Sequence, residues 1–344
     1  MEQTKIFRLL WQKREDGGAR LLRAYGASSK ADLPQQIDGH PLYEIAPYCF
    51  AETSRLPEQL DWNETFACDA SDVPYLTELC GSRIEEVSLP DTVQSIGNCA
   101  FYNCKKLNRI RAGANLRDIG SDAFMNTLSF HRLTLSCRPE EASGIKQILS
   151  HISWDIKVRF QVGDEVFAAL LYPEYLETYD EIAPAHLFGR SITGEGFRAR
   201  QCVRDGCVDF AGYDAVFLPA QAEESEQTLS AMAFNRLRYP YALTEQNKAM
   251  YREYMISRIS TVSSRMIRKK DLDALRFFCE QGLLYGPALT VCIQEASALG
   301  WTEGAAELLS RAALGNRGKK NRYSFGPYNG GSTNHAERSG RYAA

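Results

Sequence analysis

Three arginines are the residues of this chain whose type and spacing could do chemistry: Arg109, Arg111 and Arg132. Arg109 and Arg111 are two residues apart, so on a strand their side chains point to the same side. Arg132 follows Arg109 by 23 residues, which is the period of an internal repeat and places it on the neighbouring strand. Guanidinium groups bind carboxylates and phosphates through paired hydrogen bonds. The pattern predicts a binding face for an acidic partner, with His131, directly before Arg132, as a fourth candidate residue.

A second interpretation stays open for the same arginines. One repeat earlier the outward positions are Glu86 and Ser88, and one repeat later than Arg111 the residue is Thr134. Glu86 and its neighbour Glu85 could balance part of the positive charge. The arginines would then form an ordinary solvated face that binds no partner.

Residues that could form a catalytic or metal centre are scattered along the chain. The histidines His40, His131, His151 and His186 are far apart, and neither an HExxH nor a GxSxG motif is present. The ten cysteines include no CxxC pair, so buried thiols are a better interpretation than a zinc site. No catalytic residue, metal or cofactor is assigned.

The segment GRSITGEGFRA (Gly189–Ala199) is a candidate for nucleotide binding. Its glycines have P-loop spacing, but Glu195 and Gly196 stand where that motif requires Lys and Ser/Thr. The segment also fits a loose GxGxxA, with Asp214 at a suggestive distance. However, a glutamate beside a pyrophosphate is repulsive, and no β-branched strand is predicted before it. A turn before a helix is the preferred interpretation.

The elements that position the arginines come from a repeat of 23 residues. Ile84–Lys106 and Leu107–Ser129 share five identities, at Ile96/Ile119, Gly97/Gly120, Ala100/Ala123, Phe101/Phe124 and Asn103/Asn126. Such units bury their apolar faces by stacking, so we expect Phe101 over Phe124 and Ile96 over Ile119. IDGHPLYEIAPYCF (Ile37–Phe50) is a looser earlier copy, and Ser54–Val73 is either a decayed repeat or an insertion loop.

The repeat resembles the BspA-like class of leucine-rich repeats. The resemblance rests on SLPDTVQSIGNCAFYNCKKL (Ser88–Leu107), with its Leu-Pro, Ile-Gly, Ala-Phe and Asn-Cys elements in order, and covers about residues 37–135. In the second copy Leu89-Pro90 becomes Ala112-Gly113 and Cys104 becomes Thr127. The family implies a right-handed solenoid used for binding, and many of its members are exported.

The C-terminal part is similar to an ankyrin repeat. ASALGWTEGAAELLSRA (Ala296–Ala312) has the alanine, glycine, acid and leucine-pair order of that family, and a faint earlier copy, DLDALRFFCEQG, begins 30 residues before WTEGAAELLSRA. The resemblance covers about residues 268–313 and implies a second interaction-type solenoid. A simple helical bundle is the alternative.

These patterns together predict an α+β chain, with a short leucine-rich-repeat-type β solenoid followed by a mostly helical, ankyrin-like region. Within it we expect a helix from Pro139 to about His151, a hairpin of Lys157–Gln161 with Glu165–Leu171, and a helix after the cap Thr244. The predicted domains are a capping hairpin (1–30), the solenoid (31–137), a helix with a closing hairpin (138–184), a helical domain (185–314) and a disordered basic tail (315–344).

Composition favours a globular protein of the cytoplasm. The net charge of the 344 residues is −3, and the segment from Gly315 onward carries +5, which leaves −8 on the rest. An acidic body argues against a broad nucleic-acid footprint. No apolar run reaches the roughly 20 residues that span a bilayer, and no signal peptide is recognised.

The predicted function is a non-enzymatic protein–protein interaction scaffold that uses a leucine-rich repeat face and a helical repeat region. Its partner is an unknown protein, for which the arginines make an acidic one a candidate, and neither nucleic acid nor a membrane is an expected partner. The alternative is an enzyme whose unrecognised active site lies within about residues 154–241, where no pattern guides the interpretation.

Overall fold

The computed structural model describes residues 7–53, 63–67, 75–182 and 187–320. In these ranges the strands are β1 (Phe7–Lys13), β2 (Ala19–Gly26), β3 (Lys30–Asp32), β4 (Gln36–Ile37), β5 (His40–Ile45), β6 (Asn63–Ala67), β7 (Thr77–Glu78), β8 (Glu86–Ser88), β9 (Ser95–Ile96), β10 (Arg109–Gly113), β11 (Asp118–Ile119), β12 (Arg132–Ser136), β13 (Ile156–Val162), β14 (Glu165–Tyr172), β15 (Leu176–Ile182), β16 (Leu187–Thr193), β17 (Val203–Arg204) and β18 (Cys207–Val208). The helices are α1 (Ile145–Ser150), α2 (Gly196–Gln201), α3 (Phe210–Glu223), α4 (Glu226–Arg238), α5 (Glu245–Arg268), α6 (Leu272–Glu280), α7 (Gly286–Ala298) and α8 (Thr302–Lys320). The chain divides into two compact units, Met1–Arg258 and Ile259–Ala344, each described by itself below.

The first unit contains a solenoid built on two sheets. Sheet A has the strand order β11-β9-β5-β2-β1-β6, and sheet B has the order β14-β13-β12-β10-β8-β3. Each coil contributes one strand to sheet B and, further along the chain, one to sheet A, so that β8 is followed by β9 and β10 by β11. Neighbouring coils pair in parallel, as repeats of equal length require. The α+β fold with a leucine-rich-repeat-type solenoid is therefore confirmed.

Equivalent side chains of successive coils are in contact inside the solenoid. The rings of Phe101 and Phe124 stack with centroids 5.6 Å apart, and Ile96 pairs with Ile119 in the ladder of sheet A. Both predicted contacts are confirmed. Phe50 stacks on Phe101 in turn, at 5.0 Å. The looser copy that precedes the clean repeats is thus a true coil.

Most of Ser54–Val73, for which the sequence allows a decayed repeat or an insertion loop, lies outside the described residues, namely residues 54–62 and 68–73. Its described part contains β6, which pairs antiparallel with β1 at the edge of sheet A. On either side of this segment, Phe50 and Phe101 stack directly on each other.

The helix after the last coil is shorter than predicted. It begins at Ile145 and not at Pro139, because the main-chain N–H of Ser143 donates to the carbonyl of Gly206 instead of continuing a helical turn. The closing hairpin is confirmed: β13 continues sheet B in parallel with β12, and β14 turns back antiparallel to β13.

The predicted onset of helical structure at residue 185 is wrong. Strand β16 pairs along its whole length with β15, and a second small hairpin, β17–β18, follows before α3 begins at Phe210. The predicted boundary at residue 184 therefore cuts through the β15–β16 hairpin. The helix after Thr244 is confirmed, since the Thr244 hydroxyl accepts from the N–H of Asn247.

The second unit contains two helix turns that repeat at 30 residues. The N–H of Asp271 donates to the carbonyl of Met266 at 2.9 Å, and the N–H of Trp301 donates to the carbonyl of Ala296 at 3.0 Å. Both turns pass through a left-handed residue, at Lys270 and Gly300. Helix α8 continues to Lys320, which lies within the tail predicted to begin at residue 315. Residues 321–344 lie outside the described ones.

Candidate basic face

The predicted arginines lie together on the outward side of sheet B. Strand alternation turns the residues between them inward: Ile110 and Leu133 are each 1% exposed, so their neighbours must point outward. In the parallel ladder, Arg109 pairs with Arg132 and Arg111 pairs with Thr134. Adjacent strands are about 4.8 Å apart, which brings the side chains of these pairs within mutual reach.

The next strand adds two cations that the sequence analysis missed. Lys157 of β13 pairs with Arg132, and Arg159 pairs with Thr134. We name as the basic face the five residues Arg109, Arg111, Arg132, Lys157 and Arg159. The 23-residue period does not predict that Lys157 lies beside Arg132, because the coil that contains α1 is longer and takes 25 residues from Arg132 to Lys157. The alternation of charged and apolar residues in KVRF (157–160) was the available signal.

The basic face is bounded on both sides. On β8 the carboxylate of Glu86 lies 3.6 Å from Arg109 and 3.5 Å from Lys30, so an acidic residue ends the row of cations on this side. On β14 the same rows continue with Ala169 and Leu171, which are buried, and helix α4 packs on that strand. The basic face therefore occupies β10, β12 and β13.

The cations of the face affect one another. Partial desolvation lowers the pKa of the Arg132 guanidinium, and the positive charges of Arg109 and Arg159 lower it further, while Glu86 opposes them. Arg132 donates to the side-chain oxygen of Asn108. The Nε of Arg111 donates to the hydroxyl of Ser136 at 2.9 Å, which leaves its terminal nitrogens for a ligand. Like charges at this spacing favour an anion as ligand.

His131 lies beside the face and not in its rows. It precedes β12, and its Nδ1 is 2.7 Å from the carbonyl oxygen of Asp155 and 3.3 Å from the carboxylate of the same residue. The ring is thus engaged with the turn before β13, and the structure does not group it with the outward arginines.

Main-chain amides of the GRSITGEGFRA loop donate hydrogen bonds to glutamates at the C-terminal end of α3. The N–H of Gly194 donates to Glu223 at 3.2 Å, and the N–H of Glu195 donates to Glu224 at 2.9 Å. A Cβ on Gly196 would lie 2.0 Å from the carbonyl oxygen of Pro173, so close packing explains that glycine. A strand, β16, does lead into the loop, contrary to expectation, but it belongs to a two-stranded antiparallel hairpin. The turn-before-helix interpretation fits this geometry.

Two charged residues of the region proposed for an alternative active site, Asp214 and Arg236, belong to a buried polar cluster. Asp214 and Arg236 pair at 2.7 Å with both side chains fully buried. Asp214 also accepts from the hydroxyl of Tyr251 and the amide of Asn247, and Arg236 donates to the carbonyl of Tyr241. These contacts join α3, α4 and α5 through buried polar groups.

Three further observations bear on the class of protein. Within the described ranges, no group of three or more His, Cys, Asp or Glu is placed to hold a metal ion. Of the helices that the structure describes, none combines the length and apolar character needed to cross a lipid bilayer. A cavity of about 450 Å³ beside the β1–β2 turn is lined by charged residues, among which Arg14 pairs with Asp16 and Glu44.

Comparison with known proteins agrees with the repeat architecture. Residues 78–148 match a family model described as "BspA type Leucine rich repeat region (6 copies)". The matched residues include the stacked coils of β8 to β12, so this part of the chain is similar to BspA-type leucine-rich repeats in both sequence and architecture. A search of curated proteins finds no match.

Two solved structures are similar to part of the chain. A leucine rich repeat protein of T. pallidum shows 26% identity and a TM-score of 0.27, over 36% of this chain and 49% of that one. A leucine rich cell surface protein of Faecalibacterium prausnitzii A2-165 shows 22% identity and a TM-score of 0.26, over 37% of this chain and 28% of that one. The chain thus spans about half of the first relative and less of the second.

Proposed function

We propose that the protein is a non-enzymatic interaction scaffold whose basic face captures an acidic segment of a partner protein. The observation that carries this proposal is the row Arg109, Arg132 and Lys157, which continues without interruption over three neighbouring strands. A rigid sheet holds these cations in place, so a partner does not have to order them on binding.

The charge of the whole chain supports the same proposal. Without the segment from Gly315 onward the chain carries −8, so the basic face is a local reversal of sign. Such a reversal steers an acidic partner to one place on the surface while contributing little to stability.

The proposal also includes a second interaction region in the helical second unit and a location in the cytoplasm. The 30-residue repetition of the turns at Lys270 and Gly300 supports a second, ankyrin-like interaction region in the second unit. The thiols that the structure leaves unpaired suit a reducing compartment, which we propose to be the cytoplasm.

A triple variant tests the proposed face. We expect Arg109→Ala, Arg111→Ala and Arg132→Ala together to leave the Tm nearly unchanged, because exposed charges contribute little to stability. Capture of partner proteins from a lysate of the native host should weaken, and the loss should shrink as salt rises and screens the attraction.

The matched control removes three positive charges elsewhere. Lys105, Lys106 and Lys146 are exposed and lie outside sheet B, so their replacement by alanine should leave partner capture intact. Unfolding of the arginine variant would make these residues structural. Unchanged capture by it would make the face an ordinary solvated surface.

A further inference from the structure

Thr134 points outward from sheet B, because Leu133 and Leu135 on either side of it are buried. This short side chain lies between two longer ones in the same row, Arg111 on one neighbouring strand and Arg159 on the other. Arg132 stands two residues before it on the same strand, about 6.6 Å away along the backbone. We name these four residues the Thr134 cradle.

The cradle has groups that can donate to a ligand from three sides. Arg111 and Arg159 are two strands apart, so their backbones are separated by about 9.6 Å, with Thr134 on the strand between them. No ion pair joins Arg159 to another described residue, and the Thr134 hydroxyl has no hydrogen-bonding partner among them. Arg109 is different, because it forms an ion pair with Glu86 at 3.6 Å.

Three guanidinium groups and one hydroxyl suit a dianion with several oxygen atoms. A carboxylate offers two oxygens in one plane and a single charge, which two arginines satisfy. A phosphomonoester carries a charge of about −2 near neutral pH and three terminal oxygens that accept hydrogen bonds in different directions. Arginine forks match this geometry.

We propose that the Thr134 cradle binds a phosphomonoester, presented as a phosphorylated side chain of the partner. This inference rests on the proposed function, because it names the anion that the basic face takes. In the complex Arg111 and Arg159 hold the phosphate from opposite sides, Arg132 contacts it from a third, and the Thr134 hydroxyl donates from below.

Calorimetric titration of the full chain with O-phosphoserine at low salt tests the site. Arg159→Gln should weaken binding about tenfold, because a charge-assisted hydrogen bond is lost. Thr134→Val keeps the shape and removes one neutral donor, so we expect a loss of about threefold. Lys146→Gln, which removes one charge from the exposed surface of α1, should change the affinity less than twofold.

Two further titrations identify the charge state and the chemistry. Binding of O-phosphoserine should tighten between pH 5.5 and 7.5, as its phosphate loses the second proton at a pKa of about 6. Aspartate should bind far more weakly at both pH values. Equal binding of aspartate, or equal losses in Lys146→Gln and Arg159→Gln, would overturn the phosphate site and leave only a diffuse positive surface.

Failure of this inference can be distinguished from failure of the proposed function. If the partner is captured equally well before and after phosphatase treatment, while the triple arginine variant loses it, the basic face stands and the phosphate site falls. If that variant captures every partner, the proposed function falls, whatever O-phosphoserine does.

Discussion

Gly97 and Gly120 occupy the same step of successive coils, because the backbone of the preceding coil leaves no room there for a side chain. A Cβ on Gly97 would lie 2.4 Å from the nitrogen of Pro47, and one on Gly120 would lie 2.4 Å from the nitrogen of Asn98. Both distances are far below van der Waals contact, so glycine is required at this position because neighbouring coils approach each other closely. A larger residue would push neighbouring coils apart.

Asn103 and Asn126 are identical for a different reason. It predicts that glycine is more stable than alanine at this position, which is the reverse of the usual order. Both have left-handed backbone, with φ of 60° and 61°, and the amide of Asn126 donates to Asn103 at 2.8 Å. Asn126→Gly should therefore be more stable than Asn126→Ala by about 1 kcal/mol, because only glycine adopts this conformation without cost.

Lys105 is the control for this comparison. It is exposed and does not have positive φ, so there alanine should be more stable than glycine. Urea unfolding of the four variants measures both differences. The same order of alanine and glycine at the two positions would show that backbone conformation does not explain the asparagine.

At the level of residues, the sequence revealed which positions matter but not always why. The stacking of Phe101 on Phe124 followed from the period alone, because equal coils must superpose their interior positions. The sequence missed Arg159, since its place in the row depends on the length of the coil before it. The Thr134 cradle could therefore be recognised only from the pairing of β10, β12 and β13 in the structure.

At the level of elements, local pairing could be predicted and distant pairing could not. The β13–β14 hairpin has its turn signal between its strands, and it forms as expected. Strand β16 has an ambiguous sequence and becomes a strand because β15 supplies its partner. The conformation of the GRSITGEGFRA loop also depends on a distant segment, because the carboxylates that bind its amides come from α3 and the residue after it.

The ion pair between α3 and α4 gives a prediction at this scale. Replacing Asp214 by asparagine leaves the buried Arg236 without its counter-charge, so we expect a loss of about 3–5 kcal/mol in the free energy of unfolding. The double variant Asp214→Asn with Arg236→Met should lose less than the sum of the two single changes, because it leaves no isolated charge.

An exposed pair on α5 provides the comparison. Glu245 and Lys248 lie 3.3 Å apart with Glu245 87% exposed, so Glu245→Gln should cost at most about 0.5 kcal/mol. Thermal and urea unfolding measure all these variants. Equal small losses for Asp214→Asn and Glu245→Gln would mean that the buried cluster does not hold the helices together.

At the scale of the whole molecule, the chain before Gly315 has a net charge of −8, while the described strands β10, β12 and β13 carry the basic face. Under the proposed function, the acidic remainder repels an acidic partner and the basic face attracts it, so the direction of approach is selective. The charge balance was readable from composition, and the place of the reversal was partly readable from the repeat. The partner itself is not encoded in either, because recognition depends on the complementary surface.

The thiols give the last prediction, which concerns the chain as a whole. The nine cysteines in the described ranges are unpaired, and Cys68 lies outside them. Burial raises the pKa of Cys104 and of Cys137 to about 12 and that of Cys279 to about 11. Since the thiolate is the reactive form, these three should react slowly with alkylating reagents in the native protein at pH 7.5.

In denaturant, the same protein should show its thiols without any added reductant. We expect most of the ten to be counted on chain isolated from its host, and the Tm to be indifferent to reducing agents, because packing in the coils and not disulfide bonds maintains the fold. Several missing thiols would place the protein in an oxidising compartment. Fast native labelling of Cys104 would instead mean that the coil interior, where its Sγ donates to the carbonyl of Phe50, opens far more readily than stacked coils allow.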